Sequence, residues 1–403
     1  MLPIELVFQV IEHLHSDKPT LSSCSILSRA CLRLARPLLF RRLVITCFHP
    51  DILSRGSDEN PIRFLSENPD VGSLIRAVVF RKPLSHNDPH VKHSLSLSVL
   101  VATLSRLPAL TDLRLEGLVL DVDRYQYMGF FHIKGLQLID LERTAPSKLI
   151  PFITLFFAIG VLTIHYEDGD TGDEEECPPT FGAAPTVRVR EAILRVRADC
   201  WAYLSQLGRI LCKATSLTEL ELEMRLFTPS AYNTDVQAGH ALPFGLCSSL
   251  RTLTVLSTLP TAPRAYGTLA DATKLVAMGL AQAALDGLAL AELRLIVDMA
   301  PGYVRNPSQI KQRIPWGELD GALAALPCVD RVVVRFRVLS FVDEDDRGPP
   351  AEVLRDDREV TEGHVRGWMP RIVAAGVTVD LNIEVSLKAI ILPDFQPNEI
   401  WQY

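Results

Sequence analysis

Residues 217–223 read Leu-Thr-Glu-Leu-Glu-Leu-Glu, and residues 110–116 repeat the arrangement as Leu-Thr-Asp-Leu-Arg-Leu-Glu. Residues 250–255, Leu-Arg-Thr-Leu-Thr-Val, align with both segments without a gap. Alternation of apolar and polar residues predicts a β-strand with one buried face, because successive side chains on a strand point to opposite sides. The leucines therefore form an inner face, and the charged residues between them form an outer face.

Further segments of this kind recur along the chain, and a helical stretch precedes most of them. The predicted strands are centred near Leu113, Leu220, Leu253, Leu293, Val333 and Leu381, with weaker examples near Val78, Ile139, Leu162 and Leu194. The steps between them are irregular. A single helix and strand cannot bury its apolar face alone, so neighbouring units are expected to stack.

The recurring Leu-x-x-Leu-x-Leu resembles the strand half of a leucine-rich repeat, although regular repeats run ~20–29 residues. The resemblance implies an α/β fold: an irregular leucine-rich-repeat solenoid with parallel strands on the concave side and helices outside. A doubly wound parallel sheet also alternates helix and strand and is the alternative. It would show a non-sequential strand order, with a cleft where the order reverses.

The amino terminus carries a different pattern. Residues 1–14 read Met-Leu-Pro-Ile-Glu-Leu-Val-Phe-Gln-Val-Ile-Glu-His-Leu, with apolar residues at helical spacing. A proline fits the first turn of a helix, where its missing N–H costs nothing. A second leucine-led segment runs from Leu21 to Phe40 and contains Cys-Ser-Ile-Leu-Ser-Arg and, at its end, Leu-Leu-Phe. Together the two segments predict a helical hairpin.

The order of residues in this hairpin resembles an F-box of the fungal type, whose pattern is Leu-Pro-x-Glu-Leu, Cys-Ser-Leu-Val-Ser-Arg and Leu-Phe. Cys31 stands where many members carry tryptophan. The resemblance implies docking on the Skp-type adaptor of a cullin–RING ubiquitin ligase. The residues predicted to contact the adaptor are Leu2, Pro3, Leu6, Val10, Ile11, Leu14 and Leu27, and those completing the hairpin are Leu21, Ile26, Leu27 and Leu32. The alternative is a cap that only shields the first repeat.

These patterns divide the chain into three parts. Residues 1–45 are predicted to form the F-box-like hairpin, residues 46–392 the degenerate repeat domain, and residues 393–403 a tail. Two acidic stretches, residues 167–180 and 343–350, are rich in proline and glycine and are predicted to be solvated loops within the repeat domain.

A protein substrate is predicted to bind the outer strand positions of the repeat domain. These positions carry charges of both signs, and a curved array of mixed charges suits recognition of a protein partner. The selected residues are Arg114, Glu116, Glu221, Glu223, Arg294, Arg335 and Arg337. A solvated face without a ligand would show the same pattern.

No sequence motif indicates catalysis, a metal or a cofactor. The acidic run from Asp168 lacks the glycine and glutamate that an EF-hand loop needs at positions six and twelve. His86, His90 and His93 have no cysteine nearby and are expected in a surface loop. The chain is therefore predicted not to be an enzyme. Its formal net charge of −7 and pI of about 5.8 argue against binding nucleic acid.

Two further observations concern the compartment. Residues 149–164 are uncharged but fall short of the ~20 residues of a spanning helix. We predict instead a buried helix to about Ala158, a turn at Gly160 and a strand through Ile164, with no membrane contact. The eight cysteines are dispersed and are predicted to be reduced thiols. Both features predict a cytoplasmic or nuclear protein.

Overall fold

A computed structural model describes residues 4–14, 17–46, 61–83, 94–121, 131–139, 141, 149, 152–166, 188–197, 216–225, 244, 247–258, 268–299, 310–312, 314–342, 364 and 366–389. The chain divides into two units, Met1–Ile193 and Leu194–Tyr403. Each unit combines helices with parallel strands. The predicted α/β class is confirmed.

The first unit opens with three helices and continues with strands and three further helices. Its elements are α1 (Ile4–His13), α2 (Lys18–Ser25), α3 (Arg29–Leu39), β1 (Arg42–Thr46), α4 (Pro61–Glu67), α5 (Pro69–Gly72), β2 (Ala77–Arg81), β3 (Ser94–Ser96), α6 (Leu97–Leu104), β4 (Asp112–Glu116), β5 (Val119–Asp121), β6 (Phe131–Ile139), β7 (Phe156–Tyr166) and β8 (Arg188–Arg197). The first unit ends within β8, at Ile193.

The main strands of the first unit lie side by side in chain order, β1-β2-β4-β6-β7, and pair in parallel. Their register aligns the buried side chains in rows across the sheet, one of which is Val78, Leu113, Leu136 and Leu162. Strands β3 and β5 form a separate parallel pair. The row explains why leucine recurs at the equivalent position of successive strands. Each of these leucines extends an apolar layer that the preceding strand begins.

The second unit repeats this arrangement with five strands in the order β9-β10-β11-β12-β13. Its elements are β9 (Glu219–Arg225), β10 (Thr252–Thr258), α7 (Thr268–Leu285), β11 (Glu292–Met299), α8 (Trp316–Ala324), β12 (Arg331–Val342), α9 (Pro370–Ala374) and β13 (Thr378–Ala389). Helix α7 packs on α8, and α8 packs on α9. Since neighbouring helices touch, they form one layer on the same side of the strands.

Each predicted Leu-x-Leu strand of the second unit supplies two side chains to this interior. One buried row contains Leu220, Leu253, Leu293, Val332 and Val379, and the next contains Leu222, Val255, Leu295, Val334 and Leu381. Of the residues between the two rows, Glu221, Arg294, Val333 and Asp380 are exposed or half-buried, whereas Thr254 is buried. Parallel sheets covered by helices on both faces are apolar on both faces. The alternation here indicates a sheet with helices on one face.

The strand order bears on the doubly wound alternative. A doubly wound sheet places later strands on the opposite side of the first strand, so its spatial order reverses at one point. Within each unit the described strands follow the order of the chain without a reversal. The described strands therefore offer no switch point at which a nucleotide cleft would form.

The prediction for residues 149–164 was wrong in detail. Strand β7 already begins at Phe156, and Gly160 lies inside it. A Cβ atom on Gly160 would lie 2.6 Å from the carbonyl oxygen of Lys134 on β6. Glycine is therefore used for a close approach of two backbones, a known role in strands, and not for a turn. No helix in the described parts of the chain is long and apolar enough to cross a membrane.

Replacing Gly160 with alanine is expected to lower the free energy of unfolding by roughly 1–3 kcal/mol, because the new methyl group forces β6 and β7 apart. Gly317→Ala is the matched control, since a Cβ atom there meets nothing within 4 Å and the residue lies in helix α8. Chemical denaturation of both variants measures the difference. Equal stability of Gly160→Ala and wild type would contradict the close approach.

The prediction of reduced cysteines was wrong at one position. Cys247 is disulfide-bonded, and its partner lies outside the described residues. Cys24, Cys31 and Cys328 are free thiols. Cys247 is buried in the turn that precedes β10. The dispersed spacing of the cysteines could not reveal this bond, because pairing depends on which loops the fold brings together.

Candidate protein-binding surfaces

The amino-terminal helices α1, α2 and α3 form a hairpin-like cluster with its own small interior. Ile11, Leu21 and Ala35 are buried there, one from each helix. Partly buried side chains that pack around them are Val7, Leu14, Cys31, Leu34, Leu38 and Leu39. Ile11 and Leu14, both predicted to contact the adaptor, thus belong to the interior. Cys31 also packs inward.

Two side-chain caps fix the connections between these helices. Asp17 caps α2 by accepting hydrogen bonds from the Thr20 hydroxyl at 2.6 Å and the Thr20 backbone N–H at 3.1 Å. These two bonds favour the carboxylate and hold the pKa of Asp17 below its ordinary value of 3.8. Ser28 caps α3 through the backbone N–H of Cys31 at 3.1 Å. Ser28 holds the turn at residues 26–28 together with the backbone N–H groups of Ile26 and Leu27, which donate to carbonyl groups in the last turn of α2.

Among the described side chains of the cluster, the most exposed apolar ones lie in that turn. Ile26 is 84% exposed and Leu27 is 73% exposed. Other exposed apolar residues of the cluster are Leu6 and Val10 on α1, Leu32 on α3 and Phe40 at the end of α3. We call these six residues the hairpin apolar surface. Of the predicted contact residues, Leu6, Val10 and Leu27 belong to it, while Leu2 and Pro3 lie outside the described residues.

Ile26, Leu32 and Phe40 were missed as surface residues by the sequence reasoning, which assigned Ile26 and Leu32 to completing the hairpin. A signal was present for Leu32. It follows Arg29 by three residues, and residues three and four apart share one side of a helix. Ile26 lies in a turn, where the helical period gives no information about burial.

The outer strand positions of the second unit form a charged sheet face. Register places Glu221 level with Arg294, with Thr254 between them. It places Glu223 level with Arg335, with Leu256 and Ile296 between them. Arg337 lies one row further along, beside Asp298. The sheet therefore brings five of the predicted substrate-binding residues onto one face.

Most arginines of this face form ion pairs with neighbouring strands or residues. Arg337 donates to Asp298 at 2.6 Å, and Arg294 donates to Glu292 at 2.9 Å. Arg331 forms ion pairs with Asp380 at 2.6 Å and with Glu292 at 3.6 Å. The hydrogen bond with Glu292 raises the pKa of Arg294. Partly exposed pairs of this kind add ~0–1 kcal/mol each, so they position side chains more than they stabilise the fold.

The carboxylate of Glu221 has no ion pair or hydrogen bond among the described residues. The face is thus acidic on β9 and carries paired arginines on β11 and β12. In the first unit, Arg114 and Glu116 are half-buried on β4 and pair with each other at 3.1 Å. They occupy outer positions of that unit's sheet, as the alternation predicts.

The structure does not test the predictions made for the histidine cluster and for the acidic loops. Within the parts of the chain that the structure describes, no group of three or more histidine, cysteine, aspartate or glutamate residues could hold a metal ion. The histidine cluster at residues 86–93, the acidic stretches 167–180 and 343–350 and the tail 393–403 lie outside the described residues.

Comparison with known proteins does not assign the chain to a family. No protein-family model matches the chain, and no curated protein matches it either.

Proposed function

We propose that the chain is a substrate-recognition adaptor of a cullin–RING ubiquitin ligase. The α1–α3 cluster acts as an F-box-like module that docks on the Skp-type adaptor. The sheets act as an irregular leucine-rich-repeat solenoid that holds a protein substrate. The chain performs no bond chemistry itself, because holding acceptor lysines near the ligase raises their effective concentration. The protein acts in the cytoplasm or the nucleus under this proposal.

The hairpin apolar surface carries this proposal. The helical cluster gains nothing from leaving Ile26 and Leu27 in water, since burial of each side chain is favourable by roughly 1.5–3 kcal/mol. Exposed apolar side chains grouped on one small module are typical of a protein-interaction site. The alternative of a simple cap expects these side chains to be sealed against the chain itself, and their exposure supports the docking role.

The sheet faces support the second half of the proposal. Sequential parallel strands with helices on one side are features of a leucine-rich-repeat solenoid, and the charged face on the other side suits contacts with a protein partner. The residues proposed to contact the substrate are Arg114 and Glu116 in the first unit, and Glu221, Glu223, Arg294, Arg335 and Arg337 in the second. An interaction scaffold without a link to ubiquitin would use the same sheet faces but would leave the hairpin unoccupied.

Co-purification tests the docking role. The full chain is mixed with purified Skp-type adaptor and separated by size-exclusion chromatography. We expect one co-eluting peak with both proteins, and loss of that peak when Leu6 and Val10 are both replaced with aspartate. Both residues are exposed on α1, so the hairpin should stay folded. Separate elution of the wild-type chain and the adaptor would refute the proposal and leave the scaffold as the function.

A further inference from the structure

The outer face of helix α3 combines positive charge with apolar side chains. Positions i, i+3, i+4, i+7 and i+11 fall on one stripe of a helix. On α3 and its final cap residue, those positions are Arg29, Leu32, Arg33, Arg36 and Phe40. The opposite face packs inward through Cys31, Leu34, Ala35 and Leu38. The stripe therefore points away from the hairpin interior.

The charge of the hairpin differs in sign from that of the rest of the protein. Residues 1–46 contain six basic residues and three acidic ones, a formal charge of +3. The whole chain carries −7, so the remaining residues carry −10. The six basic residues are Lys18, Arg29, Arg33 and Arg36 within the hairpin, and Arg41 and Arg42 directly after it, where Arg42 begins β1. An acidic partner is therefore attracted by the hairpin and repelled by the rest of the chain.

Two of the guanidinium groups on the stripe are available to a partner. Arg29 and Arg33 are exposed, and neither has an ion pair or hydrogen bond among the described residues. Arg36 differs, since its guanidinium pairs with Asp70 on α5. Arg29 and Arg33 flank Leu32, so an apolar contact at Leu32 brings two unpaired positive charges against the partner.

We propose that the hairpin binds a protein surface whose apolar pockets are edged with carboxylates, and that Arg29 and Arg33 select and orient this acidic partner. The inference rests on the proposed function and specifies the chemistry of the docking surface. Opposite charges attract over about one Debye length before contact, so they act chiefly on the rate of association. The reversed charge elsewhere on the chain favours approach at the hairpin.

An anionic membrane is the other acidic surface to consider, and the structure favours a protein. A helix that lies in a membrane interface inserts a broad apolar face between the lipids. The apolar face of α3 is sealed against α1 and α2, and its outer stripe offers only Leu32 and Phe40 among arginines. Ile26 and Leu27 project from a turn, a shape that fits discrete pockets on a protein.

Binding kinetics at several salt concentrations test the proposal. The probe is purified Skp-type adaptor immobilised on a sensor, and the full chain flows over it between about 50 and 500 mM salt. We expect association of the wild type to slow about tenfold or more across this range. Arg29→Glu with Arg33→Glu should slow association by a similar factor at low salt and change dissociation less.

Lys274→Glu with Lys311→Glu is the matched control, because it makes the same charge change at exposed positions of the second unit. We expect it to associate nearly as fast as the wild type. Salt-independent binding, or equal rates for the Arg29/Arg33 variant and the wild type, would overturn the electrostatic inference and leave the adaptor function standing. Absence of wild-type binding would overturn both. Sedimentation with phosphatidylserine vesicles that is lost in the Arg29/Arg33 variant would overturn the inference in favour of a membrane.

Discussion

Replacement of both Ile26 and Leu27 with aspartate is expected to weaken capture of the Skp-type adaptor by at least ~100-fold. Two apolar anchors that become buried on binding contribute roughly 1.5–3 kcal/mol each. The variant also places two carboxylates where a partner would have to desolvate them, which adds a further penalty. Titration of labelled adaptor with each protein measures the change in affinity.

The fold should survive this change, and the structure supplies the control. Ile26 and Leu27 are 84% and 73% exposed, so their replacement removes little buried area from the hairpin. Leu285, at the end of α7 in the second unit, is 82% exposed and offers a surface leucine away from the hairpin. Leu285→Asp should bind like the wild type. Unchanged circular dichroism with undiminished adaptor binding in the Ile26/Leu27 variant would contradict the docking surface.

The strands could be predicted from the sequence because their physical signal is local. Alternation of leucine with polar residues reports which face of a strand is buried without any knowledge of its neighbours. The aligned segments at 217–223 and 250–255 indeed pair in register, Leu220 beside Leu253 and Leu222 beside Val255. Register follows from the pattern, since a slip of one residue would turn every leucine outward.

The hairpin surface could be predicted only in part, because the helical period does not identify which apolar stripe faces inward. Val10 and Ile11 are adjacent, apolar and similar in size, yet Val10 is exposed and Ile11 is buried. The difference arises from the position of α3, which packs against one side of α1. Gly160 was misplaced for a similar reason, since the close approach of Lys134 on β6 is a tertiary contact.

A buried carboxylate in the second unit had no sequence signal at all. Asp320 lies in α8 and is 2% exposed. It accepts the backbone N–H groups of Arg371 at 3.0 Å and Ile372 at 2.9 Å, both in the first turn of α9. The residue before α9, Met369, provides no side-chain cap. Asp320 thus caps a helix fifty residues away, a role that a charged residue in a helix does not reveal by itself.

Asp320→Ala is expected to lower the free energy of unfolding of the second unit by roughly 2–4 kcal/mol, because two N–H groups of α9 lose a charged acceptor in a buried setting. Asp320→Asn keeps one side-chain oxygen and should lie between alanine and the wild type. Asp286→Ala, at an exposed position after α7, is the control and should fall within about 0.5 kcal/mol of the wild type.

Urea denaturation measures these differences in stability. Hydrogen exchange should be faster at the backbone N–H groups of Arg371 and Ile372 in the Asp320→Ala variant. Unaltered exchange at those two amides would show that the carboxylate does not hold α9, whatever the change in stability.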